Sequence, residues 1–107
     1  MAYGCINLND LDGFDWDNGN IYKNEKKHGV SWWEIEEVFF NEPLLLLQDT
    51  KHSHEEERCY CLGRTDSDIG LFVAFTKREN KIRAISARKM TKKEKTIYEK
   101  AKKNTDF

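Results

Sequence analysis

Hydrophobic and polar positions follow two different periods along this chain, and the switch between them divides it. Phe14-Asp15-Trp16 alternates apolar, polar, apolar and predicts a short first strand. Asp17 is placed as the N-cap of a helix running to about Lys27, with Gly29 as a left-handed C-cap. Ser31 and Glu34 have capping-box spacing and open a second helix. Its core stripe is Ile35, Val38 and Phe39, and Pro43 blocks continuation past about Asn41. Leu44 to Gln48 is an apolar run of strand length, followed by a polar loop from Asp49 to Glu56. From Arg58 the period becomes two. Strands are predicted over Arg58–Thr65, Leu71–Lys77 and Lys81–Ala87. In the first of these, Cys59, Cys61 and Gly63 share one face, and Tyr60, Leu62 and Arg64 the other. Turns at Asp66–Gly70 and Arg78–Asn80 imply an antiparallel meander. Thr91 and Glu94 repeat the capping-box spacing and start a basic helix to Lys103, with Ile97, Tyr98 and Ala101 facing inward.

The fold class that follows is α+β: N-terminal helices, a twisted antiparallel sheet of about four strands, and a C-terminal helix. The helices are expected on one sheet face, leaving the other, with Arg64 and Arg83, free for a ligand. Residues 1–13 read as an N-terminal extension, 14–103 as a single domain and 104–107 as a tail. Composition adds little to this picture. The chain has 107 residues, 38% hydrophobic and 35% charged, which suits one small polar domain with a modest core. No apolar run approaches a membrane span and no signal-peptide pattern opens the chain, so cytoplasmic residence is expected. Three cysteines, an odd number, do not suggest a disulfide scaffold.

Charge changes the picture more. The net charge of −1 conceals thirteen carboxylates against four lysines over residues 1–57, and fourteen Lys and Arg against six carboxylates over 58–107. A basic second half points to a local anionic partner such as a nucleic-acid backbone, or to neutralisation of one half by the other across the fold. Lys81 to Thr91 concentrates the interest. In a regular strand Ile82, Ala84 and Ser86 point one way and Arg83 and Ile85 the other, while Arg88 and Lys89 fall where the strand should stop. Arg83 and Arg88 offer planar, permanently charged forks suited to phosphate, though both equally suit an ordinary solvated surface.

Other residues invite chemistry. His28, at a helix end beside Lys27, is a proton carrier near neutral pH, and its cationic form also suits the helix dipole there. Glu55-Glu56-Glu57-Arg58 sets a carboxylate beside a guanidinium, a general base next to an anion clamp or simply a solvated loop end. His52, His54, Cys59 and Cys61 are zinc-ligand types, but their spacing is not that of a zinc knuckle, and the cysteines suit a packed sheet face. Trp16, Trp32 and Trp33 could stack on bases or pack in a core. No Gly-rich phosphate loop or nucleophile elbow is present.

Taken together, the pieces resemble the BrnT-type toxins of bacterial type II toxin–antitoxin pairs. The resemblance rests on Phe14-x-Trp16-Asp17, Asn24 and Lys27-His28-Gly29-Val30-Ser31-Trp32. It continues through Val38-Phe39, Pro43, Asp49, His52, Glu57-Arg58 and Gly63, and closes on Arg83-x-Ile85-Ser86-Ala87-Arg88-Lys89, Glu94 and Tyr98. It implies a RelE-like fold and a ribonuclease that arrests translation without a cofactor. It also implies a cognate antitoxin, BrnA-like and of ribbon-helix-helix type, that touches operator DNA on the toxin's behalf in a hetero-oligomer. One departure is Asn20, which stands where family members often carry a lysine. Metal-independent cleavage by the RNA's own 2′-hydroxyl would then use His28 and Glu57 as proton carriers and Arg58, Arg83 and Arg88 as phosphate clamps. Lys27, Arg64 and Lys89 would add RNA contacts. The alternatives are a non-enzymatic RNA- or protein-binding module, and a metal-bound structural domain.

Overall fold

The computed structural model describes residues 11–49 and 57–105. Their order is α1 (Lys23–His28), α2 (Trp32–Phe40), β1 (Leu45–Gln48), β2 (Arg58–Arg64), β3 (Gly70–Arg78), β4 (Lys81–Lys89) and α3 (Lys92–Thr105). The four strands form one antiparallel sheet in sequence order, as expected of consecutive runs joined by short polar turns. The β3–β4 turn is a two-residue hairpin loop in which Glu79 and Asn80 both take positive φ, 52° and 66°. That geometry matches the natural twist of the strands it joins.

One sheet face is covered by α2. Ile35 and Val38 from α2 pack with Val30, Cys59, Cys61, Leu71, Val73, Phe75, Ile82, Ala84 and Ala87 in the main core. The helix lies close because position 63 has no side chain: a Cβ there would come within 2.5 Å of Val38 Cγ1. Its start is fixed as the spacing predicted, with the Glu34 carboxylate accepting the Ser31 N–H at 2.9 Å. Gly29, φ 71°, caps α1 in the left-handed region.

The opposite face is not left to solvent. The α3 helix crosses one end of it, where Tyr98 joins Leu62 and Met90 in a second cluster with Leu45 and Phe72. The Tyr98 hydroxyl donates to the Pro43 carbonyl at 2.6 Å, tying the last helix to the segment before β1. Expecting all helices on one face was therefore wrong. The apolar Leu62 and Phe72 on the second pleat needed a cover of their own. Within α3, Tyr98 is buried but Ile97 is exposed, so Ile97 is not part of the inner face.

The N-terminal segment also differs from expectation. Phe14 makes a single parallel bridge to Ile82 instead of a strand. The first helix starts at Lys23, not after Asp17. Asp17 begins a turn instead, its Oδ1 accepting the Gly19 N–H and its carbonyl accepting those of Asn20 and Ile21. Backbone bonds from Asp12 to Asn80, from Asp15 to Ile82 and from Ile82 to Gly13 lay this segment along the free edge of β4. The polar loop and the histidines at 52 and 54 fall mostly or wholly outside the described residues.

Candidate functional site

Strand β4 is longer than predicted and irregular in the middle. It runs two residues past Ala87, so Arg88 and Lys89 pair with Phe72 and Leu71 inside the sheet. Ala74 faces Ser86 whereas Phe75 faces Ala84, leaving Ile85 as an extra, bulged residue. The bulge reverses the pleat. Ile82, Ala84 and Ala87 point into the main core, and Arg83, Ser86 and Arg88 share the outer face. Ser86 thus lies opposite to its expected direction, and the two arginines, five residues apart, come onto one side.

Three polar side chains hold the bulge from the free edge. Asn20 Nδ2 donates to the Ala84 carbonyl at 3.3 Å, Lys23 Nζ to the Ile85 carbonyl at 2.8 Å, and Asn24 Oδ1 accepts the Ala87 N–H at 3.0 Å. Asn20 and Asn24 are buried, and Asn24 Nδ2 has no hydrogen-bond partner among the described residues. Bulged strands leave ladder groups unpaired, and buried ones must be satisfied elsewhere. This explains why a turn and a short polar helix lie along this edge.

The outer face can be read as rows across the strands. Arg58, Thr76 and Arg83 form one row, Tyr60, Ala74 and Ser86 the next, and Leu62, Phe72 and Arg88 a third. Exposed Leu47 of β1 faces Tyr60, while α3 covers the Leu62 end. The Arg88 guanidinium lies over the Phe72 ring, 4.3 Å from its centroid, and the Tyr60 and Phe72 rings sit 5.3 Å apart at 33°. Arginine, phenylalanine and tyrosine thus form a continuous ladder.

Both arginines are engaged. Arg88 grips Glu94 with two bonds, 2.8 and 3.0 Å, and Glu94 in turn accepts the Thr91 N–H at 2.8 Å in the predicted capping box. The guanidinium and that N–H hold the Glu94 carboxyl below its usual value, and Glu94 raises that of Arg88. Arg83 donates to Asp17 at 2.9 and 3.2 Å and lies 3.5 Å from Asp15, which places its charge among the acids of the first half. The Arg83 contact holds the Asp17 carboxyl below its usual value.

The remaining candidates are dispersed. Arg58 shares the outer face, whereas Glu57 precedes β2 with an exposed side chain, its carbonyl accepting the Thr76 hydroxyl at 2.6 Å. Arg64 is on the same pleat but under the α3 end, where its Nε donates to the Glu42 carbonyl at 2.8 Å and its guanidinium lies 3.7 Å from Asp68. Lys27 and His28 are exposed on the last turn of α1, and Lys89 is exposed at the end of β4. No side-chain contact among the described residues joins His28 to the outer-face arginines.

Two further sets of residues resolve differently. Cys59 and Cys61 are fully buried in the main core, but only Cys61 is there as a free thiol, which burial pushes far up so that it stays protonated. Cys59, expected to pack as a small apolar residue, is disulfide-bonded. No group of three metal-ligating side chains occurs among the described residues. Trp16, Trp32 and Trp33 pack edge to face on one another, and Trp16 Nε1 donates to Glu36 at 2.7 Å. They are away from the outer face, whose aromatic pair the sequence reading missed. Spacing carried the missing signal: inward Ile82, Ala84 and Ala87 are separated by two and then three, which a regular strand does not allow.

No curated protein matches this chain. The family model described as "Ribonuclease toxin, BrnT, of type II toxin-antitoxin system" matches residues 16–94. That span runs from the edge segment through the full sheet to Glu94, the partner of Arg88. The chain therefore belongs to the BrnT family of ribonuclease toxins from type II toxin–antitoxin systems.

Proposed function

We propose that this protein is a metal-independent endoribonuclease that cuts RNA on the open part of the outer sheet face. The observation that carries the reading is the β4 bulge, which brings Arg88 and Arg83 to the same face as Arg58, beside two aromatic rings. In this mechanism a base takes the proton of a ribose 2′-hydroxyl, and the oxygen attacks the adjacent phosphorus. The bond to the 5′-oxygen breaks, and an acid protonates that leaving oxygen. The products are a 2′,3′-cyclic phosphate and a 5′-hydroxyl. Fixed guanidinium groups offset the extra negative charge of the transition state. Arg88 and Arg58 take that role, with Arg83, Lys27, Lys89 and Arg64 contributing to the field along the strand. His28 and Glu57 are the proton carriers.

The Arg88–Glu94 pair fits this reading as a holding state. An RNA phosphate offers the same two-oxygen acceptor as the carboxylate and replaces it at Arg88. The cellular outcome is arrest of translation, relieved when a ribbon-helix-helix antitoxin binds the toxin in a hetero-oligomer. Trp33, Phe40 and Leu47 are exposed apolar residues that such a partner would cover. The test is single-turnover cleavage by Arg58→Ala, Arg88→Ala and Arg64→Ala variants. The reading expects the first two to lose cleavage and the third, at the α3-covered end, to keep most of it. Equal effects from all three would mean general electrostatics instead of a site.

The internal engagement of Arg88 by Glu94 and of Arg83 by Asp17 favours one second reading, a non-enzymatic RNA-binding module. It predicts bound RNA without new ends.

A further inference from the structure

The outer face holds more than cations. We infer that Tyr60 is a nucleobase-stacking subsite, which binds one unpaired base of a single-stranded RNA next to the phosphate held at Arg88. The inference rests on the ribonuclease reading for its ligand and on three observations for its place.

The first is the ladder itself. Arg88 covers Phe72 at 4.3 Å and Phe72 leans on Tyr60 at 5.3 Å, so among the described residues the stack is closed at the arginine end and its last ring is Tyr60. A base is a flat π-surface and extends such a stack without needing specific hydrogen bonds. The second is the floor. Tyr60 shares its row with Ala74 and Ser86, two of the smallest side chains, on its β3 side and with half-exposed Leu47 on its β1 side, so among the described residues the face is low from Tyr60 toward β4. Had large residues stood there, the row would read as core. The third is charge. Arg58 and Arg88 lie in the rows on either side of Tyr60, so a strand crossing the row has a guanidinium for phosphates before and after the stacked base. An apolar protein partner would gain from Leu47 and Tyr60 but not from a cation on each flank.

The test uses a short 2′-O-methyl RNA of mixed sequence, which the wild-type protein cannot cut. It is prepared as a set with one abasic position in each member. Wild type is expected to lose about ten- to hundredfold in affinity at one abasic position. Tyr60→Ala should bind the intact strand with the same loss and show no further loss at that position. Tyr60→Phe should behave as wild type, because the ring and not the hydroxyl does the stacking. The salt dependence of binding should be unchanged by Tyr60→Ala, since no phosphate contact is removed. A second measurement needs no variant: 2-aminopurine at the sensitive position should lose fluorescence on binding. Abasic losses that persist undiminished in Tyr60→Ala, or 2-aminopurine that stays bright when bound, would overturn the subsite. So would RNA binding untouched by Tyr60→Ala when antitoxin binding is lost, which would make the ring a protein contact. Cleavage of unmodified RNA is scored separately: uncut RNA with the abasic signature intact rejects the ribonuclease reading and leaves the subsite standing.

Discussion

Replacing Glu94 with glutamine separates the two jobs of the residue that links α3 to Arg88. The wild-type carboxylate holds Arg88 through bonds of 2.8 and 3.0 Å and accepts the Thr91 N–H at 2.8 Å. Glutamine keeps the shape and one acceptor for the cap, but presents an amide N–H₂ to the guanidinium. A bond to a charged group is worth roughly 1.5–3 kcal/mol, and partial exposure of Arg88 reduces this, so the expected cost is about 1 kcal/mol. For a chain of this size that corresponds to roughly 4–8 °C in Tm. The pH dependence carries the diagnosis. The folded-state Glu94 carboxyl lies below its ordinary 4.5, so its stabilisation is fully present above that value and is lost as pH falls through the lowered folded value. Thermal melts of wild type and Glu94→Gln should differ at pH 7 and converge in acid. Freeing Arg88 should also tighten RNA binding without changing its salt dependence, because the wild type already makes the Arg88–phosphate contact once Glu94 is displaced. A Tm deficit of equal size at acid and neutral pH would place the effect in packing and refute the ion-pair argument.

The other predictions concern the bulge, the helix contact and the chemistry. Asn24→Ala leaves the buried Ala87 N–H without its acceptor, and should cost about 1–3 kcal/mol in urea unfolding and reduce cleavage beyond what the folded fraction explains. Gly63→Ala puts a methyl 2.5 Å from Val38 Cγ1 and 3.2 Å from Leu44 Cδ1, and should destabilise by about 1–3 kcal/mol through overpacking. Arg88→Ala should abolish RNA cleavage while leaving far-ultraviolet circular dichroism unchanged; full activity in the folded variant would remove Arg88 from the mechanism.

Much of the fold could be read from local chemistry. Ser31 with Glu34, Gly29, and Thr91 with Glu94 marked helix ends because caps obey fixed spacings, and all three are present. The α+β class and strand order followed from three period-two runs joined by short turns. What failed was long-range. Asp17 looked like an N-cap, but Asn20 is drawn to the Ala84 carbonyl, 64 residues away, and the chain turns there instead. The first helix is shortened as a result. Placement of α3 on the second face depended on Leu62 and Phe72 needing cover, which no local pattern states. The candidate site was half legible: Arg83, Arg88 and Arg58 stood out by type, but their shared face exists only because Ile85 is bulged. Tyr60 and Phe72 were hidden, since aromatic residues in strands ordinarily signal packing.

Digestion of RNA by the purified protein in EDTA, with wild type beside Arg88→Ala and the new 3′ ends identified, tests the central claim most directly. Cyclic-phosphate ends from wild type, absent with Arg88→Ala, are the predicted result. Intact RNA that the wild type binds but does not cut, with or without translating ribosomes present, would contradict it.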